Sequence, residues 1–383
     1  MCILINQAVV KIGVFCLVYF TSSEEAMRRI GIKQAKPGMK LARSVINATG
    51  SVLIQRGVTL TSRYIDRLRA KGIYQIYIED DISEGIEIED LVSDETRYCT
   101  QALVKNVMND ILLQNRLSQA SEITKTVNNI VDELIGNDDI LVNIKDIRTI
   151  DDYTFGHCTN VCILSIITGI ELGYNELRLR DLGVGALLHD IGKMKIPKHI
   201  LQKPGKLTNE EYEQVKQHTI YGFEALKECD DIRAPAANAA LGHHERFNGS
   251  GYPRGLIGEN THEYAKVIAI ADVYDAMTSD RVYRMGMEPF EVGRYLTDMG
   301  DILFDGELVG TFIKNIALYP VGSSVLLSTG EKGLVSKNHG DHPSRPTIRI
   351  IYDPYGDKYD TYREINLAEC PEITITQICE DLY

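Results

Sequence analysis

The pattern of apolar and polar residues changes character twice along the chain. Residues 27–85 contain short strand-like runs, such as SVLIQ and IYQIYIED, around one helix-like stretch that ends at Gly72. Between about residues 90 and 145, apolar positions recur at three- and four-residue steps, which predicts amphipathic helices. This helical pattern, interrupted by loops, continues to about residue 318.

Beyond residue 318 the pattern returns to strands. The segments YPVGSSVLLSTGEKGLVS and RPTIRIIYD alternate apolar and polar residues between glycine turns, which predicts a small β module. We therefore predict a mainly α protein with three parts. These are a small N-terminal α+β module (27–86), a large helical domain with its preceding helices (87–318) and a C-terminal β module (319–383).

The first 26 residues have a pattern of their own. Residues 12–20 are apolar, but polar residues interrupt the segment before them and no basic residues begin it. A membrane span needs about 20 continuous apolar residues, and a signal peptide begins with basic ones. We interpret residues 1–26 as the result of a start codon assigned too far upstream, with Met27 as the true first residue. A weak membrane anchor, with Arg28 and Arg29 on the cytoplasmic side, is the alternative, and membrane contact is expected only in that case.

Acidic residues outnumber basic ones. The chain has 54 Asp and Glu against 41 Lys and Arg, which gives a formal net charge of −13. Since non-specific binding to nucleic-acid polymers relies on clustered Lys and Arg, this charge argues against such a partner. An anionic ligand would need a local positive site, made by a metal ion or a few arginines. The eight cysteines include no CxxC pair, and in a chain this large with no clear secretory signal we expect no disulfide framework.

Histidine and aspartate residues indicate that the helical domain contains the functional site. In LGVGALLHDIGK, His189 and Asp190 follow an apolar helical run. A buried aspartate must be paired or must bind a cation, and a neighbouring His and Asp can offer a nitrogen and a bridging carboxylate. Taken alone, His157 and His218 fit hydrogen-bonded or exposed histidines better than metal ligands.

A pair of acids lies in the apolar segment AKVIAIADVYDAMTSDRVYR. Asp272 and Asp275 are three residues apart, so they share one face of a helix. Paired acids on helices are usually solvated or capping, but the small apolar flanks favour Asp272 as an inward-pointing ligand. Arg281 and Arg284 have the spacing of a phosphate clamp, and equally that of a cationic helix end.

The stretch GHHERFNGSGYPRG holds two adjacent histidines, His243 and His244, followed by glycines and Pro253. Five histidines and two aspartates exceed what one tetrahedral zinc can use and suit two octahedral first-row ions, Fe or Mn. Two such ions bridged by hydroxide are the usual arrangement for in-line attack on a phosphodiester. The glycines let the chain leave the helix close to a bulky ligand.

The segments HDIGK, HHERFNGSGYP and ADVYDAMTSDRVYR resemble the HD-GYP subgroup of the HD superfamily of metal-dependent phosphohydrolases, over about residues 120–318. The resemblance implies an all-helical catalytic domain of the HD type in a cytoplasmic bacterial signalling protein. It also implies hydrolysis of the second messenger cyclic di-GMP to pGpG, and often onward to GMP, by a metal-bridging hydroxide.

The resemblance also assigns roles to individual positions. The implied metal ligands are His157, His189, Asp190, His218, His243, His244 and Asp272. Lys193 is placed beside the scissile phosphate and acts with Asp190 in catalysis. The loop Gly251, Tyr252, Pro253 borders the substrate pocket, which Asp275, Arg281 and Arg284 line. Members with three metals carry a Glu four residues before the first ligand; Tyr153 stands there, so we expect a binuclear centre of Fe or Mn.

Cyclic di-GMP phosphodiesterase is thus the leading interpretation. One alternative is a phosphodiesterase for a related ring, such as a mixed GMP–AMP dinucleotide, since the metal chemistry would be identical. Another is a non-catalytic cyclic di-GMP receptor that signals through the helices at 90–145, although the intact ligand set argues against it. The same helices predict a homodimer.

Overall fold

The computed structural model describes residues 27–46, 52–88, 90–114, 117–136, 141, 153–279, 286–379 and 382. Within them the chain forms a small N-terminal sheet, a helical domain and a C-terminal sheet, which confirms the mainly α fold with two flanking modules. Residues 1–26, with the interpretation given to them, and the two arginines at 281 and 284 lie outside the described part. None of the described helices is long and apolar enough to cross a membrane.

The N-terminal module is a three-stranded antiparallel sheet with one helix and a separate two-stranded ribbon. Its elements are β1 (Arg28–Gly31), β2 (Lys40–Leu41), β3 (Val45–Ile46), β4 (Val52–Ile54), α1 (Ser62–Ala70) and β5 (Gln75–Glu79). β5 lies between β1 and β2, and β3 pairs with β4. α1 begins after Thr61, whose hydroxyl accepts the amide of Tyr64. Its apolar residues Ile65 and Leu68 are buried, and the chain leaves it through Gly72 at φ +70°.

The helical domain contains eleven α-helices among the described residues. They are α2 (Asp94–Gln114), α3 (Ala120–Ile135), α4 (Tyr153–Glu171), α5 (Glu176–Leu187), α6 (Lys198–Leu201), α7 (Asn209–Lys216), α8 (His218–Lys227), α9 (Ala234–Gly242), α10 (Glu263–Thr278), α11 (Pro289–Asp298) and α12 (Gly306–Lys314). Two short 3-10 helices, Ile191–Lys195 and Gly258–Asn260, complete it.

The apolar pattern of each helix decides its place in this domain. α3 buries Ile123, Val127, Ile130 and Leu134, one face at three- and four-residue steps, so the predicted amphipathic helix is present. α4 is apolar nearly all round, and it is accordingly the central helix, in contact with α2, α5 and α10. α9 packs against α5, α8 and α10. The ends of these central helices carry the polar residues discussed below.

The C-terminal module is a five-stranded antiparallel sheet. Its strands are β6 (Ser324–Leu327), β7 (Lys332–Lys337), β8 (Thr347–Tyr352), β9 (Lys358–Asn366) and β10 (Ile375–Cys379), in the spatial order β10-β6-β7-β8-β9. Apolar residues of these strands form its core, which also includes Ile82 and Ile86 from the segment after β5. The amide of Arg29 donates to the carbonyl of Gly322 at 3.1 Å. The two flanking modules are therefore in direct contact.

Gly192 lets the 3-10 helix at 191–195 lie directly against α8. A β-carbon at this position would lie 1.9 Å from the carbonyl oxygen of His218 and 2.5 Å from the amide nitrogen of Gly222. Both are backbone atoms, so neither can move aside cheaply. The close contact of these two elements therefore depends on the absence of a side chain at residue 192.

We expect Gly192→Ala to lower the free energy of unfolding by at least about 2 kcal/mol, because the methyl group would push α8 away. Gly310→Ala is the matched control. Gly310 lies in α12, and a β-carbon added there would have no atom within 4 Å. Alanine at this position should stabilise the helix by about 0.5–1 kcal/mol. Urea unfolding followed by circular dichroism measures both. Equal effects of the two substitutions would contradict the packing described here.

Candidate metal centre

The structure brings together the seven residues to which the sequence resemblance assigns metal binding. His157 lies on α4, His189 and Asp190 follow α5, His218 begins α8, His243 and His244 follow α9, and Asp272 lies on α10. They form two groups, within each of which the ligand atoms lie within 4.8 Å of one another. The groups are Asp190, His218, His243, His244 and His157, His189, Asp272. Five helices thus converge on one cluster of donor atoms.

Three of the histidines have their ring orientation fixed by the backbone. His189, His218 and His243 each place Nδ1 at 2.7 Å from a carbonyl oxygen three residues earlier. Since a carbonyl only accepts hydrogen bonds, Nδ1 carries the proton, and Nε2 of the neutral ring has a lone pair. These lone pairs are directed into the cluster, as in metal-bound histidines whose second nitrogen is hydrogen-bonded.

Several buried acceptors in the cluster lack a hydrogen-bond donor. Nε2 of His218 lies 3.3 Å from Nε2 of His243, and two lone pairs at this distance repel each other. Nε2 of His189 and Oδ1 of Asp190 are buried without a hydrogen-bond partner among the described residues. Such groups are costly to bury unless a cation or a donor lies between them. The donor set therefore fits divalent metal ions.

The two carboxylate oxygens of Asp190 face different histidines. Oδ1 lies 3.5 Å from Nε2 of His218 and 3.9 Å from Nε2 of His243. Oδ2 lies 3.4 Å from Nε2 of His189 and 4.0 Å from Nε2 of His157. Asp190 is therefore the residue that lies between the two groups.

Asp275 contacts one of the candidate ligands, His157. It is fully buried, with Oδ2 at 2.7 Å from Nδ1 of His157 and Oδ1 accepting the side-chain amide of Asn160 at 2.6 Å. The expectation that Asp275 lines the substrate pocket stays a prediction. Its three-residue spacing from Asp272 does place both acids on one face of α10, but that face packs against α4.

Asn160 is a functional residue that the sequence analysis missed. Its side-chain oxygen accepts a hydrogen bond from Nη1 of Arg97 on α2 at 3.3 Å, and Arg97 also donates to the carbonyl of Val92. A buried chain of polar groups therefore leads from α2 through Asn160 and Asp275 to His157. The available signal was a polar residue three positions after His157 in an otherwise apolar helix.

Protonation differs sharply among the histidines of the cluster. Burial lowers the pKa of His157, but hydrogen bonds to Asp272 and Asp275 outweigh it and raise the pKa to about 9. Burial lowers the pKa of His218 to about 4 and that of His244 to about 3. At neutral pH the last two rings therefore offer lone pairs, whereas His157 has to lose a proton before it can bind a metal ion.

The carboxylates of the cluster stay ionised. Burial alone would raise the pKa of Asp190, but Lys193 and the neighbouring histidines hold it well below its usual range. Nζ of Lys193 lies 2.5 Å from Oδ2 of Asp190, and the lysine side chain is 30% exposed while that of Asp190 is 1% exposed. Lys193 thus connects the buried carboxylate with solvent.

The Gly251–Tyr252–Pro253 loop folds back onto the histidines. The ring of Tyr252 stacks on that of His244, with centroids 4.7 Å apart and an interplanar angle of 28°. A β-carbon on Gly251 would lie 2.3 Å from the amide nitrogen of Arg246, so only glycine allows this approach. The loop therefore forms a wall beside the cluster.

Glu245 holds the end of this loop. It is buried, and its carboxylate accepts the amides of Arg254 at 2.8 Å and Leu256 at 2.9 Å. Both of its oxygens are used in this way, so Glu245 supports the loop and is not one of the candidate metal ligands. Tyr212 on α7 lies edge-on to Tyr252, with ring centroids 6.3 Å apart, a neighbour that the sequence analysis did not identify.

Comparison with known proteins agrees with this geometry. Residues 158–308 match the family model described as HD domain, and residues 324–381 match the KOW domain associated with HD domain. The chain is 30% identical over 359 residues to cyclic di-GMP phosphodiesterase PA4108 of Pseudomonas aeruginosa, with 85% of each chain covered.

Other similarities cover less of the chain. A cyclic di-GMP phosphodiesterase of Thermotoga maritima is 39% identical over 177 residues, 46% of this chain and 48% of that protein. The 3'3'-cGAMP-specific phosphodiesterase 1 of Vibrio cholerae is 33% identical over 192 residues, 49% of this chain and 43% of that protein. Among solved structures, Bd1817, an HDG"Y"P protein from Bdellovibrio bacteriovorus, aligns with a TM-score of 0.46 at 18% identity over 75% of this chain and 98% of that one.

The helical fold, the His/Asp cluster, the match to the HD domain family model and the similarity to PA4108 define a phosphohydrolase of the HD type. The chain belongs to the HD-GYP family.

The unequal pKa values lead to a prediction for the metal-free protein. We expect the ring of His157 to stay doubly protonated up to about pH 9, because two carboxylates accept its N–H groups. His218 and His244 should be neutral at pH 7. NMR of protein with ¹⁵N-labelled imidazoles reports each protonation state, and His157→Gln assigns the signal. Asp275→Asn should lower the pH at the midpoint of the His157 titration. A midpoint at the ordinary histidine value in the unsubstituted protein would contradict the described hydrogen bonds.

Proposed function

We propose that the protein is a metal-dependent phosphodiesterase that hydrolyses cyclic di-GMP to pGpG, GMP or both, with two divalent ions, Fe or Mn, per chain. The position of Asp190 carries the proposal, because its two oxygens face two groups of histidine nitrogens. A bridging carboxylate between two ions requires this arrangement. The similarity to three proteins named as cyclic di-GMP phosphodiesterases supports cyclic di-GMP as the substrate. They are the two reported above and the response regulator RpfG of Xanthomonas campestris.

The ligand set supports two ions and not one. Four donors belong to one group and three to the other, with Asp190 between them. Seven nitrogen and oxygen donors exceed a tetrahedral zinc site and suit two octahedral ions such as Fe or Mn. When bound, the ions would polarise phosphate oxygens and supply the hydroxide for in-line attack.

Residues of the chain itself would bind and orient the substrate. Lys193, partly exposed beside Asp190, is well located to neutralise a phosphate oxygen, since its ammonium group already lies at the cluster. The Gly251–Tyr252–Pro253 loop would border the dinucleotide. Tyr212 is 46% exposed next to Tyr252, and an aromatic ring in this place would suit stacking by a purine base.

A mixed GMP–AMP ring is the second candidate substrate. Two of the similar proteins are named 3'3'-cGAMP-specific phosphodiesterases, and the metal chemistry would be the same for both rings. A non-catalytic receptor is a third alternative. It would not need the lone pairs and the bridging carboxylate of the cluster, so the completeness of the donor set supports an enzyme.

Cytoplasmic location and a homodimer also remain proposals. Leu112 and Leu113 at the end of α2 are 46% and 80% exposed. Such apolar side chains support the proposal that the helices between residues 90 and 145 contact a second copy of the chain.

Turnover by the metal-loaded protein tests the proposed function. We expect Mn²⁺- or Fe²⁺-loaded protein to convert cyclic di-GMP to pGpG or GMP in a chromatographic assay, and faster than it converts the GMP–AMP ring. The reverse order of rates would support the second candidate. Tight binding without turnover of either ring would contradict an enzyme and support a receptor.

Asp190→Asn should lower turnover at least about 10²-fold, because an amide cannot supply a bridging anion to two ions. Glu263→Gln is the control, since Glu263 forms an exposed ion pair with Arg178 away from the cluster. It should leave turnover unchanged. Activity of Asp190→Asn close to that of the control would rule out the bridging role.

A further inference from the structure

A cavity apart from the metal centre lies where the N-terminal sheet, the C-terminal sheet and the start of α11 meet. Its volume is about 230 Å³, and it is lined by β1 with the following turn, the start of β5, the start of β6, the end of β10 and Glu288 just before α11. It shares no residue with the metal centre or with the Gly251–Tyr252–Pro253 loop. The proposed phosphodiesterase reaction therefore gives this cavity no role.

Arg29 lines this cavity and carries an unsatisfied cationic group. Its side chain is 7% exposed, and Nη2 lies 3.3 Å from Oε2 of Glu288, at the long end of an ion pair. Nη1 is buried and has no hydrogen-bond partner in the described part of the chain. A buried guanidinium N–H without an acceptor costs free energy, which an incoming anion would recover.

Ser324 supplies a second unsatisfied group at the same place. The residue is 2% exposed, and its hydroxyl has no partner among the residues that the structure describes. Its backbone is paired on both sides, with Leu334 in β7 and Cys379 in β10, so the hydroxyl is held in position. Since Arg29 lies on β1 and Ser324 on β6, the two free donors come from two different modules.

The rest of the lining limits the kind of ligand that fits. Tyr74, Ile378 and Cys379 give the cavity an apolar wall. Arg29 and Lys33 provide two positive charges and Glu288 one negative charge among the lining residues, so a ligand with a single negative charge balances them. The volume is below that of sites for drug-sized ligands and suits on the order of ten non-hydrogen atoms.

We propose that this cavity is a binding site for a small organic monoanion, a carboxylate on an apolar body. The carboxylate accepts from Nη1 of Arg29 and from the hydroxyl of Ser324, and the apolar body packs on the wall formed by Tyr74 and Ile378. The ligand thereby bridges the two flanking modules next to the start of α11.

Binding of phenylacetate, measured by isothermal titration calorimetry on the metal-loaded full chain, tests the proposal. We expect one site, with the affinity lowered at least about tenfold by Arg29→Ala and severalfold by Ser324→Ala, since each removes one donor. Arg178→Ala, which removes an exposed arginine elsewhere, should leave binding unchanged. Thermal unfolding identifies any variant that does not fold, and Ser324→Ala tests the site if Arg29→Ala fails.

Two further probes distinguish the ligand class and the location. Phenylacetamide, which has the same size without the charge, should bind at least about tenfold more weakly. Asp190→Asn should bind phenylacetate as the unsubstituted protein does, which separates this cavity from the metal centre and from the proposed reaction. Equal binding of phenylacetamide, or loss of binding in Asp190→Asn, would overturn the proposal. So would stronger binding of inorganic phosphate, or no binding of phenylacetate.

Discussion

The buried carboxylate of Asp190, with imidazole nitrogens on both of its sides, is the contact on which the rest of the site depends. An ionised carboxylate surrounded by lone pairs is not stable in a protein interior without compensating positive charge. Lys193 supplies one such charge from the solvent side. The remaining acceptors, including Nε2 of His189, lack donors among the described residues, so the site is built for cations.

The helical domain serves to hold these acceptors in place. Backbone carbonyls at the ends of α5, α9 and the segment before α8 fix three imidazole rings, so their orientation follows from helix geometry alone. Asp275 on α10, which accepts a hydrogen bond from Asn160 on α4, does the same for His157. Glycines at 192 and 251 allow the close backbone contacts that complete the arrangement. The hydrogen bonds and close packing of the surrounding helices therefore hold the donor atoms of the cluster in place.

Much of this arrangement could be predicted from the chain, because its signals are local. The change from strand to helix periodicity identified the three parts, and the motif segments identified the residues that the structure brings into one cluster. The contact of Asp275 with His157 could not be predicted, since spacing gives the shared face of α10 but not the helix against which that face packs. The cavity at Arg29 and Ser324 joins residues almost 300 positions apart, and no local pattern predicts such a contact. The roles assigned to Arg281 and Arg284 lie outside the described residues and stay predictions.

A crystal structure of the metal-loaded protein, with anomalous scattering recorded at the absorption edge of the bound metal, tests the central claim most directly. We expect two anomalous peaks per chain, one in the group that contains His218 and one in the group that contains His157, with an oxygen of Asp190 coordinated to each ion. A single peak, or two peaks bridged by a residue other than Asp190, would contradict it. A third peak beside Tyr153 would contradict the proposed number of ions.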